Sequence, residues 1–253
     1  MTMMTGFLMD EVPLGIPDRW PAYGLGEREA LRLVGDVARA HSARLGDPDV
    51  LAHMDPPTPN IASELVGLNA SLNQNLLHTD LSPFASRAEH LIIAWLAPFF
   101  GMIEGHMCAG STIANLTALW CAREHGATRV VASTDAHLSI FKAAHILGMP
   151  FEAVPVDHMG RLDRNKLPCL DHAAIALTAG TTGRGVIDNL DVVDGVWLHV
   201  DAAWAGPLRL TKYASRLDGV ERANSVAVSA HKWLFQPKES ALILFREQEA
   251  QTA

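Results

Sequence analysis

Lys232 stands between two apolar runs, Val226–Val228 and Ala241–Phe245, in the stretch SVAVSAHKWLFQPKESALILF. A lysine at the exit of one buried strand and shortly before another is costly to desolvate unless a partner or a reaction consumes its charge. An amine drawn toward neutrality is a nucleophile for carbonyl groups. The competing reading is a lysine at a loop mouth with its ammonium in water, the usual setting for that residue. Its company elsewhere in the chain weighs between the two. In WLHVDAAW, alternation puts His199 and Asp201 on one face of an otherwise apolar strand, with Asp201 at its end. A poorly solvated carboxylate there needs a cationic partner, and a protonated ring nitrogen would serve.

Three further segments sit where a strand gives way to a turn or helix. In Cys108-Ala109-Gly110-Ser111-Thr112, small residues and two hydroxyls precede a helix beginning near Ile113, a combination that suits an anion such as phosphate. An ordinary Ser/Thr helix cap explains the same residues. His137, after Ser133-Thr134-Asp135-Ala136, is placed either to stack on a flat ring or to cap a helix. Gly180-Thr181-Thr182-Gly183 reads as a tight turn carrying hydroxyls. In chain order these exits offer an anion cradle, a flat ring, hydroxyls, a carboxylate and a lysine. Together they match one phosphorylated pyridine aldehyde, pyridoxal 5'-phosphate. The alternative chemistry is a divalent metal held by His199, Asp201 and His231, for which no further ligands stand at recognisable spacing.

The elements that must position these residues follow from periodicity. Residues 1–26 are rich in Gly and Pro and read as an irregular arm. Helical spacing is expected over Glu27–Leu45, Ile61–Leu76 and Phe84–Phe99, with a turn-rich segment, His53-Met54-Asp55-Pro56-Pro57-Thr58-Pro59, between the first two. From Gly105 onward short apolar runs alternate with helical stretches. Strands are expected at His106–Ala109, Arg129–Ala132, Phe151–Val156, Ala173–Thr178, Val196–Asp201, Val226–Ser229 and Ala241–Phe245. That pattern predicts an α/β fold with a roughly seven-stranded, mostly parallel sheet flanked by helices. The last two strands lie too close for a helical crossover, so the final one should run antiparallel.

Composition bounds the partners. The chain has 253 residues, 49% hydrophobic and 19% charged, enough for a large core. A net charge of -8 argues against nucleic acid or an anionic membrane as partner. No apolar run approaches the length of a membrane span, and the N-terminus lacks the basic and apolar regions of a secretory signal. Three separated cysteines, Cys108, Cys121 and Cys169, read as reduced thiols of a cytoplasmic protein.

With these residues in place, the sequence resembles the pyridoxal-phosphate-dependent amino acid decarboxylases of group II, the aromatic, glutamate and diaminobutyrate type. The stretches that carry the resemblance are HVDAAWAGP, SAHKW, TAGTTGRGVIDNL, STDAHLSIFKAAHILGM and CAGSTIANLTALWCARE, together with residues 51–96. The resemblance implies an aspartate-aminotransferase-like (fold type I) large domain over residues 51–253, preceded by an N-terminal arm and helix over residues 1–50. It implies that Lys232 forms a Schiff base with the cofactor, next to His231, and that Asp201 pairs with the pyridine nitrogen. His137 would stack on the ring, Ala203 would line its other face and Thr182 would lie near the ring substituents. Gly110, Ser111 and Thr112, with Ser225 or Ser229, would hold the phosphate.

The same resemblance implies an active site shared across a homodimer, with residues 1–60 reaching the partner's site, and an amino acid as substrate. The chain stops about twenty residues after Lys232. The family's mobile catalytic loop, its protonating tyrosine and its small C-terminal domain are therefore expected to lie outside this sequence. The connection from Asn189 to Trp197 is too short for the helix that the family places there. Ser111 stands for the family's second phosphate-loop glycine, and Ser229-Ala230 replaces its Asn or Pro. The expected activity is decarboxylation of an L-amino acid. The alternatives are a subunit that binds cofactor without decarboxylating, a changed reaction (transamination, oxidative deamination or elimination), and last a metal-dependent hydrolase.

Overall fold

The computed structural model describes residues 22–50, 54–191 and 195–247. The chain divides into two units, Met1–Leu51 and Ala52–Ala253. In the first, α1 (Glu27–His41) is amphipathic, with Arg32 paired to Glu29 and Arg39 to Asp36 along its polar side. It ends four residues before the expected Leu45, because Ser42 turns extended (φ -84°, ψ 146°). The N-terminal arm proper, residues 1–21, lies outside the described residues.

The second unit opens with α2 (Asn60–Leu72) and α3 (Pro83–Leu96). Asn73 takes the left-handed conformation that stops α2 short of Leu76, a geometry asparagine tolerates better than most residues. Pro83 starts α3 at the position where a missing N–H costs nothing, and a 3₁₀ turn, Ala97–Phe100, extends it. No helix among the described residues is long and apolar enough to cross a membrane.

Seven strands then build one sheet: β1 (Glu104–Cys108), β2 (Arg129–Ser133), β3 (Phe151–Val154), β4 (Ala173–Thr178), β5 (Trp197–Asp201), β6 (Ser225–Ser229) and β7 (Ala241–Phe245). Their spatial order is β1-β7-β6-β5-β4-β2-β3. β7 is antiparallel to both β1 and β6, as the short β6–β7 loop requires, and every other pairing is parallel. This is fold type I architecture. Since β1 and β2 lie far apart in the sheet, their connection α4 (Ser111–Glu124) must cross one face, while α5 (Leu138–Ile146) links the neighbours β2 and β3.

Alternation divides the core. On the α4 side, Ala114, Ala118 and Cys121 pack on Ala227, Ile243 and Phe245, while Leu119 and Ala122 meet Val130 and Ala174. The alanines let the helix approach the sheet closely. On the other side Ile175, Leu177, Val200, Val226 and Leu244 are covered by Ile93 and Phe100, and by Leu217 and Val220 of short 3₁₀ turns. Burying one such leucine contributes roughly 2 kcal/mol. No helix joins β4 to β5 among the described residues of that connection. Asp188 ties this connection down instead, its carboxylate accepting from Leu162 N at 2.7 Å and Thr178 N at 2.8 Å.

Candidate active site

Because β1, β2, β4, β5 and β6 run the same way, their carboxyl ends open on one edge of the sheet. That edge is where parallel sheets bind ligands. Leaving β1, the chain turns through Gly110 at φ 101°, and a Cβ there would meet nothing within 4 Å. Open space therefore lies over the start of α4. The Gly110 carbonyl accepts from Ile113 and Ala114, no side chain caps the helix, and the N–H groups of Ser111 and Thr112 are left at its open end. Ser229 Oγ donates to Ser111 Oγ at 2.9 Å. Register explains the contact, since Cys108 of β1 and Ser229 of β6 both pair with Ala241. Hydroxyls, free N–H groups and a helix N-terminus thus form an anion cradle.

At the exit of β5, Asp201 is 4% exposed. Its Oδ1 accepts from Ala203 N at 3.1 Å and its Oδ2 from Asn115 Nδ2 at 3.0 Å. Lys232, three residues beyond the end of β6, is half-buried. Burial holds its ammonium below the ordinary lysine range, with Lys238 acting in the same direction, while the charges of Asp201 and Asp55 oppose the shift. Asp55 is itself 2.5 Å from Lys238 Nζ. The carboxylate and the amine of neighbouring strand exits are therefore electrostatically coupled.

His137 caps α5: its Nδ1 accepts from Ser139 N at 3.2 Å and lies 2.8 Å from Ser139 Oγ. Ala203, two residues after Asp201, is buried, and Thr182 is exposed. Its neighbour Thr181 is buried, its hydroxyl accepting from Val186 N at 3.1 Å. Gly180 (φ 102°) is irreplaceable by geometry, since a Cβ would lie 2.8 Å from the Trp204 ring. His231 turns toward the β6–β7 loop, its Nδ1 3.0 Å from Ser240 O.

Ser225 requires a correction. It opens β6, so it lies at the far end of the strand, four residues or roughly 13 Å from Ser229. Its hydroxyl meets His199 Nδ1 at 3.0 Å and Trp197 Nε1 at 3.3 Å. Of the two serines, Ser229 is the one beside the anion cradle. The metal alternative meets a similar objection. Both ring nitrogens of His199 are engaged, Nδ1 by Ser225 and Nε2 by Asn115 Oδ1 at 3.0 Å, and burial pushes its pKa down to about 4. Among the described residues no group of three or more His, Cys, Asp or Glu side chains is arranged to hold a metal ion.

Two participants escaped the sequence reading. Asn115 is 1% exposed beneath α4 and touches Asp201, His199 and Ser139, the last through Nδ2 at 2.8 Å. Ser139 carries that contact on to His137. The signal was present in helical spacing, which puts Asn115 one turn beyond Ser111 and on the buried face with Ala118 and Ala122. In donor chemistry the whole site fits a phosphorylated pyridine aldehyde: anion-binding groups at one strand exit, a buried carboxylate at another and, within the field of that carboxylate, a lysine whose ammonium burial disfavours.

Comparison with known proteins agrees with the geometry. Residues 45–252 match the pyridoxal-dependent decarboxylase conserved domain. An L-2,4-diaminobutyrate decarboxylase of Rhizobium meliloti is 34% identical over 91% of this chain and 52% of its own length. The glutamate decarboxylase domain of a diaminobutyrate-pyruvate transaminase and L-2,4-diaminobutyrate decarboxylase from Vibrio parahaemolyticus superposes with a TM-score of 0.84 at 26% identity, over 96% of this chain and 62% of that one. Mouse CSAD superposes with a TM-score of 0.82 at 25% identity, over 91% and 55%. The chain thus spans between half and two thirds of the length of these relatives. Sheet order, site and domain match lead to one assignment: the chain belongs to the pyridoxal-dependent decarboxylase family.

Proposed function

We propose that this chain binds pyridoxal 5'-phosphate through Lys232 and, as a homodimer, removes carbon dioxide from an L-amino acid. The observation that carries the reading is the half-buried Lys232, its ammonium held below the usual range, within the field of the buried Asp201. Membership of a decarboxylase family and similarity to proteins named as diaminobutyrate decarboxylases support the reaction type.

Bound at this edge, the cofactor supplies an electron sink for the substrate's α-carbon. The chain's own residues do the rest. Ser111, Thr112 and Ser229 hold the phosphate against the N-terminus of α4. Asp201, fixed by two neutral donors, holds a proton at the pyridine nitrogen. His137 and Ala203 would flank the ring on its two faces. Lys232 Nζ would provide the covalent anchor, and its lowered affinity for protons favours the free amine that the anchor needs. Trp204 and Trp233 pack edge to face beside the lysine, with ring centroids 5.6 Å apart.

A second copy of the chain would cover apolar surface that α2 and α3 expose. Leu65, Leu68 and Leu72 are more than half exposed, and Trp95 is 66% exposed. A cytoplasmic setting accords with the three free cysteines.

The test is an absorption spectrum with added pyridoxal 5'-phosphate, then borohydride reduction, mass mapping of the modified residue and a carbon dioxide release screen over amino acids. An adduct on Lys232 with carbon dioxide release is the expected result. No adduct, or one on another lysine, overturns the assignment. An adduct without release for any amino acid overturns decarboxylation and leaves a cofactor-binding subunit or a changed reaction.

A further inference from the structure

Asn115 makes three buried hydrogen bonds, and their directions are determined by what each partner is able to give. His199 Nδ1 faces the hydroxyl of Ser225, which in turn accepts from the indole N–H of Trp197. A carboxylate only accepts, so the Asn115 atom 3.0 Å from Asp201 Oδ2 is the amide nitrogen, and the amide oxygen faces His199 Nε2. Buried and neutral, His199 then carries its proton on Nε2 and donates it to Asn115 Oδ1. The amide oxygen of Asn115 is thereby engaged. Its NH2 group is left to donate twice, to Asp201 Oδ2 at 3.0 Å and to Ser139 Oγ at 2.8 Å. With that lone pair filled, Ser139 directs its own proton at His137 Nδ1, where the Ser139 backbone N–H also points. His137 is thereby held with Nδ1 bare and its proton on Nε2.

We infer that Asn115 is a positioning residue that couples Asp201 to His137 through one amide group, setting the carboxylate's orientation and the imidazole's tautomer together. The two side chains stand at the exits of β5 and β2, with β4 between them, and share no direct contact among the hydrogen bonds of the site. One amide with a donor for each branch is what links them. The inference rests on the reading of Asp201 and His137 as cofactor contacts, and it supplies what that reading lacks: a reason why the ring's nitrogen partner and its stacking partner arrive in compatible states.

The test uses the full chain labelled with 15N-histidine, without cofactor. In the wild type His137 should show an unprotonated Nδ1 and a protonated Nε2, its signals identified by their loss in His137→Gln. Asn115→Asp keeps the shape and the acceptor for His199 but removes both donated protons. Ser139 then turns its proton to the new carboxylate, and His137 loses its strongest donor. The expected result is a shift of His137 toward the Nδ1-protonated or doubly protonated form, accompanied by at least tenfold weaker binding of pyridoxal 5'-phosphate in an absorbance titration. A merely structural asparagine would move stability but not the tautomer of a histidine it does not touch. Asn115→Leu, which removes all three bonds, should leave His137 as a mixture of tautomers. Unchanged His137 signals in a folded Asn115→Asp protein overturn the inference, and if that variant does not fold, the same result in Asn115→Leu does. A switched His137 in a chain that forms no Lys232 adduct supports the coupling while overturning the proposed function.

Discussion

Ser229 Oγ lies 2.9 Å from Ser111 Oγ, joining the exit of β6 to the first turn of α4 across 118 positions of sequence. No side chain caps the helix, so the N–H groups of its first turn are left without a built-in side-chain acceptor. Ser229→Ala should weaken binding of pyridoxal 5'-phosphate by about tenfold to a hundredfold, the range for one hydrogen bond to a charged group. Unphosphorylated pyridoxal should bind both proteins equally. Paired titrations decide it: equal losses for the two ligands would mean that Ser229 supports the fold rather than the phosphate.

Lys232 has its proton affinity reduced by burial, against Asp201 and Asp55. The sign is simple. A folded-state value below the unfolded one means that charging the amine is harder in the folded chain, so this group's contribution to stability is lost as pH falls. Lys232→Ala should therefore abolish the borohydride-trapped adduct without lowering the urea midpoint at neutral pH. A clear loss of stability in this variant, measured at pH 7, would show that the lysine is a structural ammonium.

The thiols separate by environment. Burial pushes Cys108 and Cys121 up to about 11, whereas Cys169 is exposed. At pH 8 the first two are only about a thousandth ionised, and thiolate is the reactive form. Iodoacetamide should label Cys169 well before either of the others, as read by peptide mass mapping. Early labelling of Cys108 would mean that the β1 exit opens more than the structure shows.

Much of this architecture was legible because strands buried on both faces are written as apolar runs. ALILF and AAIALT could hardly be anything else, and the short loop before Ala241 dictated an antiparallel β7. Lys232, Asp201 and Ser111 were legible because each follows such a run. What the pattern did not reveal is which end of a strand faces the site. Ser225 and Ser229 share one face of β6, and only the direction of the strand separates the one beneath the helix from the one at the open edge. Asn115 was obscured for another reason: a polar residue in the first turns of a helix normally faces water, and its burial depends on α4 crossing the sheet, a consequence of strand order rather than of local spacing. The end of α1 was overrun because apolar spacing continues to Leu45 after Ser42 has left the helix.

His199 supplies the pH dependence. It is 0% exposed, hydrogen-bonded through both nitrogens, and pushed down to about 4 by burial, although Asp201 and Ser225 favour its charged form. Its folded-state value lies below the unfolded 6.5, so the stability it confers is fully present above pH 6.5 and is lost as pH falls through 4. At 1.36 kcal/mol per pH unit, that interval amounts to about 3 kcal/mol. Urea midpoints of the wild type should fall steadily from pH 6.5 to pH 4. His199→Gln, which can still donate to Asn115 but does not titrate, should be less stable at pH 7 and lose less on acidification. Parallel profiles for the two proteins would assign the acid transition to other groups and remove His199 from the account.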